Sequence, residues 1–272
     1  GGQIQFQVHR LRGANHSDGG SFRRLRPFIE KTVYEDWKGK IQFDFAKSKV
    51  VLKDVYIQND GFLNTVLTLG NSKSTFSRAF LTSDSKHQLI DLPFVGDTKY
   101  GTPDRAMGLK MEGHNKSKKF AYGLFGGAEK IVTNKSTLQF ISPEENKGAP
   151  DLNAGWLATA RVDFHPLGPL AFSQGHFNKK TKGTVSLAAL KWDNQDHTHA
   201  HTSSAGIDDG TGKPDIDSVT GIEGSIAARF SGISVDAQYN SFDIKTVAPA
   251  MTGGLYKNGK STLTQMAVEA GY

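Results

Sequence analysis

The run His197-Thr198-His199-Ala200-His201 sets three imidazoles on alternate residues. In an extended chain that spacing can turn all three toward one metal ion. The run lies in a long polar stretch beside Asp193 and Asp196, where an exposed loop binding divalent metal only adventitiously is the competing explanation. His197, His199 and His201 are therefore weak metal candidates, and no cofactor is assigned. Asp208 to Asp217 carries carboxylates in loose calcium-loop order, but Lys213 and Pro214 break the EF-hand pattern and its last glutamate is missing. Cysteine is absent, which removes disulfide scaffolds, zinc ribbons, iron–sulfur clusters and thiol nucleophiles together. No Ser/His/Asp set or glycosidase-like carboxylate pair stands out, so catalysis is not expected.

What remains is cationic. Lys and Arg number 33 against 27 Asp and Glu, a net +6, and Arg24, Arg26, Lys38, Lys40, Lys110 and Arg161 all fall within alternating segments. Guanidinium supplies planar, permanently charged donors and ammonium a compact one. Rings of such groups replace the hydration of an anion entering a narrow passage, and several weak sites in series let it leave again. The competing explanation for each cation is a solvated face or an ion pair along one wall, for instance Lys40 with Asp44 or Arg161 with Asp163. No aromatic platform is interleaved with the basic residues, which argues against nucleic acid.

Strict two-residue alternation positions these cations. Ile4, Phe6 and Val8 oppose Gln3, Gln5, Gln7 and His9; Ile41, Phe43 and Phe45 oppose Lys38, Lys40, Gln42 and Asp44. The same holds for Met107, Leu109 and Met111, for Trp156 through Phe164, for Ile233 through Tyr239 and for Met266 through Tyr272. Turn-rich stretches separate the segments at 13–20, 59–61, 113–118, 142–153, 193–218 and 248–260. About eleven or twelve strands result, in one domain over 1–272 with no linker. No stretch of 18 apolar residues is present, so no helix is expected to cross a membrane, although a transmembrane barrel would look the same.

Two architectures alternate in this way. A soluble sandwich or lipocalin-like barrel keeps its apolar rows inside; a transmembrane barrel inverts them, apolar out and polar around water. Segments of about 8–10 residues suit the membrane version, which needs about 9–11 tilted residues per strand. Short turns alternating with long loops suit it too. On that reading Leu25, Pro27 and Ile29 face lipid, and Arg24, Arg26 and Glu30 face the lumen. Arg23 then falls on the lipid parity, where a rim position or a subunit contact must spare it a cost of about 2–4 kcal/mol at the midplane. Trp37, Phe45, Phe120, Tyr122, Trp156, Phe164, Trp192 and Tyr239 are candidate interfacial aromatics.

An ordered series of segments resembles the phosphate- and polyphosphate-selective porins, the porin O/P family. It begins with Ser21-Phe22-Arg23-Arg24-Leu25-Arg26-Pro27-Phe28-Ile29-Glu30, Tyr34 to Lys38 and Ile41 to Ala46. Leu52 to Ile57, Leu67 to Gly70 and Leu81-Thr82-Ser83 follow, the last resembling an inward-folding third loop. Ala160 to Pro166, Gly221 to Gly224, Val235 to Tyr239 and Ala270-Gly271-Tyr272 complete it. The resemblance implies an all-β, antiparallel transmembrane barrel in the bacterial outer membrane, a homotrimer with one water-filled pore per subunit, and passive diffusion of small inorganic anions, phosphate or polyphosphate among them. Outer-membrane lipid is the other partner implied. Alternatives are a general or differently selective porin and a barrel sheathing a partner protein.

This sequence departs from the family pattern in two ways. Members have about 16 strands and about 400 residues, so the segment ending at Tyr272 resembles an internal strand and C-terminal strands are expected to be missing; a closed barrel ending at that aromatic is the alternative. The family's arginine ladder is matched at Arg23 and Arg24, but Gln3 stands at its first-strand position and Phe80 at its third-loop lysine, with Arg78 two residues earlier. Lys179, Lys180 and Lys182 stand where the fifth loop carries arginines. Ser83, next to Thr82, is a candidate hydroxyl donor at the constriction.

Overall fold

Alternating Val, Ile, Phe and Trp against Gln, Lys, Arg and Asp suits a pleated backbone whose two faces meet different surroundings, and strands dominate the computed structural model. Residues 1–11, 17–46, 50–89, 91–134, 136–142, 153–175, 180–194 and 215–272 are described. The strands are β1 (Gly2–Leu11), β2 (Ser17–Tyr34), β3 (Trp37–Asp44), β4 (Val51–Phe62), β5 (Thr65–Lys73), β6 (Arg105–His114), β7 (Phe120–Asn134), β8 (Thr137–Ile141), β9 (Asn153–Phe164), β10 (Lys182–Asn194), β11 (Ile216–Phe230), β12 (Ile233–Thr246) and β13 (Lys260–Gly271). They form one 13-stranded sheet in which each strand pairs antiparallel with the next; β8 is a short arm on β7, and β9 continues the path beyond it. That arm carries the count past the expected eleven or twelve. Among the described residues β1 and β13 are not paired with each other, so the sheet is open at that seam.

The strands exceed expectation in length. β2 has 18 residues and both β7 and β11 have 15, so residues 17–20, read as turn, already belong to β2. The turn expected at 59–61 falls instead after Phe62, where Asn64 takes a positive φ of 55°. Glu35, Lys118 and Ser231 take the same left-handed conformation, with φ of 40°, 56° and 48°. It is open to a non-glycine residue, but uncommon. These tight reversals all lie at one end of the sheet. The connections at 74–104 and 247–259 lie at the other. No helix among the described residues is long and apolar enough to cross a membrane, which says nothing of strands.

The faces are inverted relative to a soluble sandwich. On β9, Trp156, Ala158, Ala160, Val162 and Phe164 point outward and exposed, while Leu157, Thr159, Arg161 and Asp163 are buried inside. Val162 is 55% exposed and Ile4, Val8 and Ile29 about 70%, exposure no water-soluble sheet offers over so many strands. From Trp156 to Phe164 the apolar row rises about 20 Å at about 3.3 Å per residue and a tilt near 40°, comparable to a lipid-facing band of about 25 Å. Tyr34, Trp37, Phe62, Phe120, Phe164, Phe230 and Tyr272 end their strands exposed at the short-turn end, forming an aromatic girdle there. One expected girdle member does not belong: Trp192 is fully buried and donates to the Glu129 carbonyl at 3.1 Å. Tyr122 keeps the outward parity of Phe120 and Leu124 and lies across Gly113 to Thr65 Oγ1 at 3.0 Å.

The interior is not uniformly wet. Inward residues near the long-loop end of β7 to β12, including Phe125, Leu190, Trp192, Val219, Phe242 and Ile244, pack with Leu138 and Phe140 of β8 and with Met251 and Tyr256 of the 247–259 connection. That dry cluster occupies the interior near the long-loop end of β7 to β12 and leaves the charged residues to the other parts.

Candidate functional site

Two irregularities in strand register feed charge into the lumen. Gln5 pairs with Arg24 but Phe6 with Phe22, so Arg23 is an extra residue on β2. The bulge spares Arg23 the lipid face: it hydrogen-bonds the inward Gln7 and Asp91. Alternation alone had placed it outward, to be rescued by a rim or subunit contact; the bulge does that job instead. On β4, Ile41 pairs with Val55 and Phe43 with Leu52, leaving Lys53 and Asp54 together opposite Gln42. Asp54 then takes Lys40 at 2.9 Å and Arg105. Lys40 thus pairs along the wall, but with Asp54 and not with Asp44, which accepts from Arg26 Nε at 2.6 Å.

The 74–104 connection folds into the lumen, as the third loop was expected to. It is bolted to the far wall by Glu223 of β11, whose carboxylate accepts the Ser77 amide at 2.7 Å, the Arg78 amide at 3.1 Å, Arg161 at 3.1 Å and the Ser225 hydroxyl at 2.8 Å. A fully buried carboxylate is tolerable only with such a set of donors. Ser77 holds φ 63° without being glycine, strain that persists because its amide, its hydroxyl on the Val95 carbonyl and its neighbours are all tied down. Gln238 receives the Ala79 amide, and Asn240 donates to the Val95 carbonyl at 2.8 Å. Arg78 and Arg229 share Asp236, and Arg161 also binds Asp163 at 2.9 Å. Arg78, Arg161 and Arg229 thus balance Asp163, Glu223 and Asp236.

Beyond this bolt the loop crosses to β2, where Asp84 binds Arg24 at 2.8 Å and also Arg26. Burial raises the Asp84 carboxyl, but Arg26 and Arg24 outweigh it and hold the group below the usual carboxylate range. Lys73, at the root of the loop, donates to the carbonyls of Phe80 and Thr82 and lies over the Phe80 ring at 4.6 Å. Around this crossing stand Arg23, Arg24, Arg26, Lys40, Lys53, Lys73 and Arg105, with Asp44, Asp54, Asp84, Asp91 and Asp104. Among the described residues cations outnumber carboxylates there by two. Toward the short-turn end Lys38 pairs with Asp60 near Glu30 and Asp36, and Lys110 with Glu112 at 2.9 Å, while Lys116, Lys118 and Lys119 stand exposed on the turn between β6 and β7. A cavity of about 310 Å³ opens there, lined by Asp60, Glu112, Tyr122, Arg161, Phe172 and neighbours.

The structure therefore gathers Arg23, Arg24, Arg26 and Lys40 at the crossing and sets Lys38 and Lys110 nearer the mouth. Arg78 and Arg161 join the bolt, at 4% and 2% side-chain exposure. Ser83 Oγ lies 3.1 Å from Ser85 Oγ on the exposed side of the loop. Sequence reasoning passed over Lys53, Lys73, Arg105 and Arg229. Only Arg229 carried a signal, since it shares the inward parity of Glu223, Ser225 and Ala227. The connection bearing Lys180 is not a fifth loop beside the third: it leaves β9 at the short-turn end, opposite 74–104. Lys179, His197, His199, His201 and the calcium-like loop up to Pro214 lie outside the described residues. Among the described residues no cluster of three or more His, Asp or Glu could hold a metal ion.

The family described as "Phosphate-selective porin O and P" matches residues 1–250. No curated protein matches the sequence. Among solved structures, OmpT of Vibrio cholerae, folded in vitro and in its trimer form, aligns with 98% of this chain and 83% of its own at 10% identity, with a TM-score of 0.39. Salmonella typhi OmpF in complex with daunomycin aligns with 89% of this chain and 83% of its own, at 9% identity and a TM-score of 0.37.

Proposed function

This chain belongs to the phosphate-selective porin O and P family and is a porin of the bacterial outer membrane, and from that premise we propose that its pore passes small inorganic anions, phosphate and polyphosphate among them. The observation that carries this reading is the surplus of cations where the inward loop meets β2. Arg23, Arg24 and Arg26 project there into one narrowing with Lys73 behind them. A passing anion exchanges part of its hydration for guanidinium donors already held in place. Because carboxylates bind each of the three arginines, an anion competes for donors instead of finding them free. Such a site is weak enough to release its ion, and a modest preference follows. A differently selective general porin is the second reading, favoured by the same ion pairing.

Single-channel recording in planar bilayers tests the proposal. A potassium chloride gradient should give a reversal potential on the chloride side, and sub-millimolar phosphate should reduce chloride current. A potassium preference would sink the anion reading; undisturbed current under phosphate would leave a general anion channel. We also propose a homotrimer, to be checked by cross-linking in detergent, with monomers only as the refuting result.

A further inference from the structure

At the short-turn end most reversals take a few residues, but β9 and β10 are separated by residues 165–181, and the described stretch 165–175 enters the lumen. Connections longer than about 12–15 residues are uncommon and tend to serve function. Its stretch Ala171–Gln174 is fastened inside. Arg78 donates to the Ala171 carbonyl at 3.4 Å and Arg229 to the Ser173 carbonyl at 2.6 Å. Phe172 lies against the guanidinium groups of Arg78 and Arg161, at 5.4 and 5.3 Å. The Gln174 amide donates to the Lys86 carbonyl, and its side chain accepts from the Gln88 amide, each at 2.8 Å. Lys86 and Gln88 belong to the loop that enters from the other end, so the two loops meet inside the pore.

From this meeting we propose that Ala171–Gln174 forms a second constriction, with Phe172 as its blade, which narrows the short-turn mouth and masks two arginines from passing ions. One side of Phe172 rests on Arg161 and the other helps wall the cavity of about 310 Å³ whose opposite wall carries Glu112 and Tyr122. Ions leaving by that mouth pass between these walls. The masking is visible in the donors. Arg161 Nη2 and Arg229 Nε are buried without a hydrogen-bond partner, which is rare for guanidinium nitrogens and costly to maintain. Water or an anion reaching past Phe172 and Ser173 would satisfy them. The segment therefore separates the Arg78, Arg161 and Arg229 group from the short-turn mouth.

This inference rests on the anion reading only for the direction of the selectivity change, not for the narrowing. The test is single-channel conductance and reversal potential for the wild type, Phe172→Ala and Phe172→Trp, each first shown to assemble by heat-modifiable migration. Removing the ring should raise conductance by about twofold and shift the reversal potential toward anions; the larger indole should lower conductance. Conductance unchanged in both variants overturns the second constriction. Should Phe172→Ala fail to assemble, Phe172→Trp carries the decision alone: reduced current supports the proposal and wild-type current overturns it. Higher conductance in Phe172→Ala together with a potassium-preferring wild type keeps the constriction and defeats the anion reading, so the two failures read differently.

Discussion

Two groups of buried charge occupy the lumen and differ in what their arginines are free to do. At the β9–β12 wall three arginines meet three carboxylates, and Glu223 spends its acceptors on two loop amides, Arg161 and Ser225. At the β2–β6 wall cations exceed carboxylates, and single carboxylates such as Asp84 and Asp54 serve two cations each. The first arrangement commits its carboxylate acceptors to fixing a loop, while on the proposed reading the second leaves positive potential over the ion path. Residue type is thus a poor guide to role within one pore. Arg161 and Arg24 both point inward from alternating strands, yet one is a structural bolt and the other faces the crossing.

The largest effect separating these walls should come from Glu223→Ala. Removing the acceptor leaves Arg161 and two amides buried without it, a loss on the scale of about 3–5 kcal/mol for breaking a buried pair. The urea midpoint for loss of the heat-modifiable band should fall, and current through surviving channels should become larger and noisier as the 74–104 loop loosens. A variant matching wild type in both would show that Glu223 is not what holds the loop.

Smaller changes of opposite sign are expected at the other wall. Arg24→Gln removes one positive charge from the crossing while Asp84 keeps Arg26, so stability should hold and the anion-over-cation permeability ratio should drop by about threefold. Asp84→Asn should raise that ratio by a similar factor, and both changes should shrink in molar salt as screening shortens. Equal shifts from both variants, or none, would remove the distinction between the pathway wall and the bolted wall.

Much of the scaffold could be read from alternation. The rows Trp156 to Phe164 and Val235 to Tyr239 lie outward as their parity requires, and Arg24 and Arg26 lie inward. Parity fails wherever a bulge inserts a residue, because one extra position reverses every face beyond it. That is why Arg23 looked lipid-facing, and why the adjacent Lys53 and Asp54 could not both be assigned to the lumen. Trp192 was taken for an interfacial aromatic by type, although Val185, Leu187 and Ala189 already claim the outer face of β10 and leave it the inner one. The Glu223 bolt was out of reach for another reason. Its partners Ser77 and Arg78 lie some 145 residues away, a pairing no local pattern specifies. The Lys180 connection was assigned to the wrong end because the β8 arm adds a strand off the sheet path and upsets the counting of reversals.

The smallest expected effect concerns acid. Asp84 is held below the usual carboxylate range because Arg26 and Arg24 outweigh its burial. A lowered folded-state value means that its contribution is fully present above the unfolded value of about 4 and fades as pH falls through the lower folded value. Conductance noise from the loop crossing should therefore be flat from neutral pH down to about 4 and rise only below it. Asp84→Asn, with nothing to protonate there, should lack that rise, while Glu223 variants should show it superimposed on a loop already loose. Acid-induced noise of equal size in Asp84→Asn would place the titrating group elsewhere and detach the crossing from Asp84.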